Sequence, residues 1–246
     1  MIASEANSSL LSSKPIPSNE RLILALDVPT PEEGQKLVER LGSTVTFYKL
    51  GLQLFMAGGY FDLVKWLRQR GKKVFVDLKF FDVPETVKNA VRQLRSWDAQ
   101  FASVHGNDEI LRAAVAEKNG IKILAVTVLT SLDEADLKDL GFQCNVEELV
   151  LSRARRALEL RCDGVISSGL EASRLRASLG DKFLIVTPGI RPVANREDDD
   201  QKRVTDVEGA FRNGADHIVI GRPITKASDP EAAAKQIQDR IARLFP

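Results

Sequence analysis

The pattern that most limits how this 246-residue chain can fold occurs eight times: a short apolar run, a turn, then an amphipathic segment. The apolar runs are 22–26, 45–50, the start of 74–87, 101–105, 121–129, 164–168, 183–187 and 217–221. They are continuous rather than alternating, as expected of strands buried on both faces in a parallel sheet. Helices are expected over 31–41, 56–70, 84–97, 109–118, 133–140 with 146–160, 171–179 and 231–244. Eight such units in about 225 residues have the count and size of a (β/α)8 TIM barrel, an α/β fold. A doubly wound open sheet is the competing architecture. It is disfavoured because no Gly-rich dinucleotide fingerprint follows the first strand.

The stretch 74–87, VFVDLKFFDVPETV, carries the densest chemistry. Alternation puts Asp77 and Lys79 on one face of the strand together with Phe75, while Val74, Val76 and Leu78 face the other way. Asp82 follows on the loop, before Pro84 at an expected first helical turn. Taken alone, this stretch also fits a strand-end ion pair that merely closes a barrel layer. The other strand ends change that balance. They carry Asp27, Lys49, His105, Thr130 with Ser131, Arg191 and Arg222. Barrel enzymes gather their catalytic groups at this rim, and concentrated charge there is hard to assign to structure alone.

Two loops read as phosphate sites. TPGIRP (187–192) follows the seventh run and IGRPI (220–224) the eighth. Gly189 and Gly221 permit close approach of backbone to an anion, and Arg222 offers a fork suited to phosphate. Arg191 fits either a ligand contact or a loop brace. The acidic loop 193–202 has the length of a lid, with Gln201 placed to close over a phosphate.

Composition removes several classes. Thirty-five basic residues against 34 acidic ones leave a net charge of +1, which gives no support for nucleic-acid binding. No apolar run approaches the roughly 18–20 residues of a membrane helix. Cys144 and Cys162 form neither a metal spacing nor a disulfide framework, and a reducing cytoplasm is expected. Residues 1–19, rich in Ser, Asn and Pro, are expected to form a flexible tail before a single barrel domain, 20–246. A transit peptide is disfavoured by Glu5 and the scarcity of Arg.

DLKFFDVPETV resembles the Asp-x-Lys-x-x-Asp signature of the orotidine 5′-phosphate decarboxylase family. LALDV, FYKLG, VLTS, TPGIRP, DQKRV and IGRPI fall in the family's order, and the resemblance covers about residues 21–244. It implies cofactor-free decarboxylation of orotidine 5′-phosphate to uridine 5′-phosphate in pyrimidine biosynthesis. Lys79 would be the lysine that protonates C6, and Asp77 the carboxylate beside the substrate's own. Asp27 and Lys49 would hold the ribose hydroxyls and extend the charge chain, and Thr130 with Ser131 would meet the pyrimidine. Gln201, Gly221 and Arg222 would grip the phosphate, with Arg191 on the same loop system. Asp82, with Thr86 as its companion, would act across a homodimer interface. No metal and no cofactor are implied. Two departures stand out: HGNDE (105–109) replaces a Gly-rich turn, and Asp206-Val207 replaces a Thr-Pro pair. One alternative is a metal-dependent sugar-phosphate decarboxylase or synthase of the same superfamily, which would place an acidic metal ligand where Lys49 stands. The other is a noncatalytic nucleotide-binding barrel.

Overall fold

Inside the barrel Phe47, Phe75 and Phe101 pack with Ile23, Ala25, Leu124, Leu184, Val186 and Val219. The alternate residues of the same strands, such as Leu22, Leu24, Tyr48, Val74 and Val76, face the helices. This split is the period-two alternation of the strands made visible, with both faces apolar because both are covered. The computed structural model describes residues 10–191 and 203–246. Eight parallel strands close on themselves in sequence order: β1 (Leu22–Ala25), β2 (Phe47–Leu50), β3 (Lys73–Phe80), β4 (Phe101–Val104), β5 (Lys122–Val126), β6 (Gly164–Ile166), β7 (Leu184–Thr187) and β8 (His217–Ile220). Closure is made by β8 pairing with β1, Ile218 level with Leu22.

Around the strands run α1 (Pro31–Leu41), α2 (Leu52–Met56), α3 (Tyr60–Gln69), α4 (Pro84–Leu94), α5 (Asp108–Ala116), α6 (Glu134–Asp139), α7 (Val146–Glu159), α8 (Ala172–Leu179), α9 (Val207–Arg212), α10 (Arg222–Thr225) and α11 (Pro230–Leu244). Helix starts follow capping chemistry. Thr30 accepts from the Glu33 N–H ahead of Pro31, and Asn145 with Glu148 forms a reciprocal capping box. Asp206 caps α9 by accepting from Gly209 N–H at 2.6 Å, the role its position suggested.

Three elements differ from the sequence expectation. The helix expected over 56–70 is split into α2 and α3, because Gly58 and Gly59 sit at φ 82° and 65°, left-handed values that end one helix before the next begins. The strand expected over 121–129 stops at Val126, and the carbonyls of Thr127, Val128 and Leu129 accept from arginine side chains. Residues 10–17, within the stretch expected as a flexible tail, pack under the barrel. Leu10 N–H donates to Arg212 O, Ser12 Oγ and Lys14 Nζ bind the buried Asp216 at 2.5 and 3.1 Å, and Ile16 packs against the interior cluster. Asp216 also takes Arg176 Nη2 at 2.7 Å and Ile185 N–H at 2.9 Å, so the tail completes the satisfaction of a buried carboxylate.

Candidate active site

The site is built on an irregularity in β3. Val76 lies level with Ala102 of β4, but Phe80 lies level with Val104, so four residues of β3 advance against two of β4. The extra length is taken up where Lys79 adopts a left-handed backbone, φ 47°. That conformation costs a lysine roughly 1–2 kcal/mol. It is held by the Lys79 N–H donating to Ser103 Oγ at 2.9 Å. Bulges re-aim side chains, and here the effect is to turn the Lys79 ammonium back over Asp77.

Four charged groups, from β2, β3 and the loop just beyond β1, then form one row. Lys49 Nζ lies 3.5 Å from Asp27 Oδ1 and 3.2 Å from Asp77 Oδ2. Lys79 Nζ lies 3.1 Å from both Asp77 oxygens. Signs alternate along the row, and exposure falls from 50% at the Asp27 side chain to 8% at Asp77 before rising to 36% at Lys79. Burial by itself would push the Asp77 carboxyl up. Lys49, Lys79 and a 2.8 Å hydrogen bond from Ser103 Oγ outweigh it and hold Asp77 below the usual carboxylate range. Burial likewise opposes charge on Lys49, but Asp77 and Asp27 outweigh it and raise Lys49 above an ordinary lysine. The arrangement therefore keeps an ammonium and a carboxylate ionised in a nearly dry site.

Two glycines lie against this row. A side chain at Gly51 would begin 3.4 Å from Lys49 Nζ and 3.5 Å from Asp27 Oδ1. One at Gly221 would begin 3.3 Å from Ala25 Cβ and 3.7 Å from Asp27 Oδ2. Gly221 and Asp27 are thus neighbours, and the end of β8 adjoins the outer end of the row. Arg222 is the exposed first residue of α10, directly beyond Gly221. Arg191 lies on the loop beyond β7, its Nη1 donating to Ile190 O at 3.0 Å, while Ile190 bridges to Thr205. Thr130 is buried in the turn after β5, with Ser131 next to it. His105 meets Phe81 edge-on at 5.2 Å, and burial, then Arg153 and Lys79, depress it below an ordinary histidine. Gln201 lies outside the described residues.

Asp82 and Thr86 stand apart from the row. Asp82 is exposed and its Oδ1 accepts from Val83 N–H at 2.6 Å; among the described residues it joins no ion pair. Thr86 is exposed in the first turn of α4. Around them Phe81 and Val83 are 68% and 62% exposed.

Ser103 escaped the sequence reading, although a lone hydroxyl in the apolar run FASV was the available signal. Arg203, Glu171 and Ser167 escaped as well, since nothing in their spacing shows that they meet. A cavity of about 370 Å³ opens at the opposite face, floored by Phe47, Phe101 and His217, and its Lys73 is paired with Glu20 at 2.5 Å.

A family model described as Orotidine 5′-phosphate decarboxylase / HUMPS family matches residues 20–237. The chain belongs to this family. It is 61% identical over 235 residues to orotidine 5′-phosphate decarboxylase of Methylococcus capsulatus, covering 96% of this chain and 97% of that one. It is 47% identical to the protein of the same name from Xanthomonas euvesicatoria, covering 94% of this chain and 96% of that one. Among solved structures it resembles orotidine 5′-phosphate decarboxylase of Lactobacillus acidophilus, with a TM-score of 0.79, 36% identity, and coverage of 90% and 99%. Within the orotidine 5′-phosphate decarboxylase family, then, the ion row at the ends of β1, β2 and β3 is the chemistry to be explained.

Proposed function

We infer that this chain decarboxylates orotidine 5′-phosphate to uridine 5′-phosphate, a carboxy-lyase step of pyrimidine biosynthesis, with residues 20–246 as the catalytic domain. The observation that carries this reading is the continuous row Asp27–Lys49–Asp77–Lys79, with the two lysines flanking one buried carboxylate. Loss of carbon dioxide from C6 leaves an electron pair in the ring plane, where the pyrimidine cannot delocalise it. A fixed ammonium at that carbon stabilises the pair and then donates a proton to it. Lys79 takes that role, and solvent returns its proton after product forms. Asp77 lies beside the departing carboxylate and, with Ser103, orients the Lys79 ammonium. Lys49 keeps Asp77 ionised and, with Asp27, meets the ribose hydroxyls. Thr130 with Ser131 reads the pyrimidine. Gly221, Arg222, Arg191 and Gln201 hold the phosphate, whose binding energy is used at the distant reacting carbon.

The metal-dependent alternative is disfavoured by Lys49 itself. Its ammonium already lies between Asp27 and Asp77, where a divalent cation would need free carboxylates. The test is loss of orotidine 5′-phosphate absorbance with and without chelator. Chelator-insensitive turnover supports the reading. Tight binding of uridine 5′-phosphate without turnover would replace it with a noncatalytic nucleotide-binding barrel.

The working unit is a homodimer in the cytoplasm. Asp82 and Thr86, exposed between Phe81 and Val83, reach the neighbouring site, and the apolar pair seats the second copy. Mixing Lys79→Ala with Asp82→Ala protomers should restore turnover, because one site of each heterodimer is then native. No restoration on mixing would place Asp82 in its own chain's site.

A further inference from the structure

Beyond β5 three consecutive carbonyls are each held by a guanidinium. Arg153 Nη1 donates to Thr127 O at 2.5 Å, and Arg203 Nη2 donates to both Val128 O and Leu129 O at 3.0 Å. Thr130 is the next residue. On its other side the Arg203 fork pairs through Nη1 with Glu171 Oε1, and Glu171 Oε2 accepts from Ser167 Oγ at 3.1 Å. The Arg203 and Glu171 side chains are only 11% and 9% exposed. Arg203 Nε is buried with no hydrogen-bond partner among the described residues. A pair serving stability alone gains nothing from an unsatisfied donor. Here the guanidinium is oriented for its two terminal nitrogens, one toward the β6 exit and one toward the β5 exit. A lysine ammonium has no such fixed fork.

We propose that Arg203, held by Glu171, is a positioning residue that sets the turn Thr130–Ser131 and so fixes where the pyrimidine is read. The proposal rests on the reading that Thr130 meets the base. Arg203 touches no substrate in it. Fixing two successive carbonyls leaves the peptide entering Thr130 little freedom, and misplacement of a substrate contact by a fraction of an ångström is costly.

The experiment compares wild type, Arg203→Lys, Glu171→Gln, Thr130→Ala and the double variant Arg203→Lys/Thr130→Ala. The readouts are kcat and KM for orotidine 5′-phosphate, and inhibition by uridine 5′-phosphate and by ribose 5-phosphate, which has no base. Arg203→Lys should weaken uridine 5′-phosphate and lower kcat/KM on the order of ten- to a hundredfold, with ribose 5-phosphate inhibition unchanged. On the Thr130→Ala background the same substitution should have a smaller effect than on wild type, since only the route through Ser131 is left. Equal weakening of both inhibitors, or losses that multiply in the double variant, would overturn the proposal. Thr130→Ala with unaltered uridine 5′-phosphate inhibition would remove the base-reading role and the proposal together. If Arg203→Lys does not fold, Glu171→Gln takes its place with the same pattern expected at smaller size.

Discussion

His217 makes a quantitative test of how dry the barrel floor is. Its ring is 3% exposed and packed edge-on against Phe47 and Phe101 at 5.9 and 5.3 Å, and Nδ1 bonds the Glu20 carbonyl at 2.9 Å. Burial is the main cause that lowers its pKa from 6.5 to about 4, with Arg21 and Lys122 adding to it and the Glu20 carbonyl and Asp216 opposing. The folded value lies below the unfolded one, so between these values the unfolded chain binds a proton the folded chain refuses. Stability contributed by neutral His217 is therefore present above pH 6.5 and is lost as pH falls toward 4. At 1.36 kcal/mol per tenfold change, the gap corresponds to about 3 kcal/mol. Urea unfolding of wild type and His217→Asn from pH 7 to pH 4 isolates this contribution, because asparagine keeps a donor near Nδ1 and does not titrate. The variant should be the less stable at pH 7, having lost the ring contacts, and the difference should shrink by about 3 kcal/mol by pH 4. Parallel stability curves over that range would refute the reasoning.

Ser103→Ala removes the donor to Asp77 and the acceptor of the Lys79 N–H, so kcat should fall roughly ten- to a hundredfold, from about 1–3 kcal/mol of lost orientation. The depressed Asp77 pKa means its charge persists below the ordinary carboxylate value and is lost only as pH falls through the lower folded value. In Ser103→Ala the acid limb of kcat/KM should move upward. Deleting residues 1–17 strips Ser12 and Lys14 from Asp216 and removes Ile16 from the interior cluster it packs against. Calorimetry should show Tm lower by roughly 4–8 °C, for about 2 kcal/mol lost.

The barrel was legible because each strand is apolar on both faces, a pattern few folds require, and because Asp27, Lys49, Asp77 and Lys79 all fall at strand ends. Alternation correctly set Phe75 inward and Val74 and Val76 outward. It did not show how Lys79 reaches Asp77, since the two-residue shift against β4 depends on a hydroxyl from another strand. The break at Gly58-Gly59 was readable as adjacent glycines but was outweighed by the helical pattern on either side. The packed stretch 10–17 was hidden within the Ser-, Asn- and Pro-rich composition of residues 1–19, because what holds it is the buried Asp216, far along the chain. Arg203 and Glu171 lie 32 residues apart and meet only through closure of the barrel.

The central claim is that the Lys79 ammonium, held by Asp77, both stabilises the reacting carbon and protonates it. Its most direct test is turnover of orotidine 5′-phosphate by Lys79→Ala beside wild type, in chelator, with uridine 5′-phosphate affinity measured on both. The account predicts that turnover collapses by many orders of magnitude while the variant stays folded and still binds uridine 5′-phosphate. Turnover within about tenfold of wild type in Lys79→Ala would show that the proton and the charge come from elsewhere.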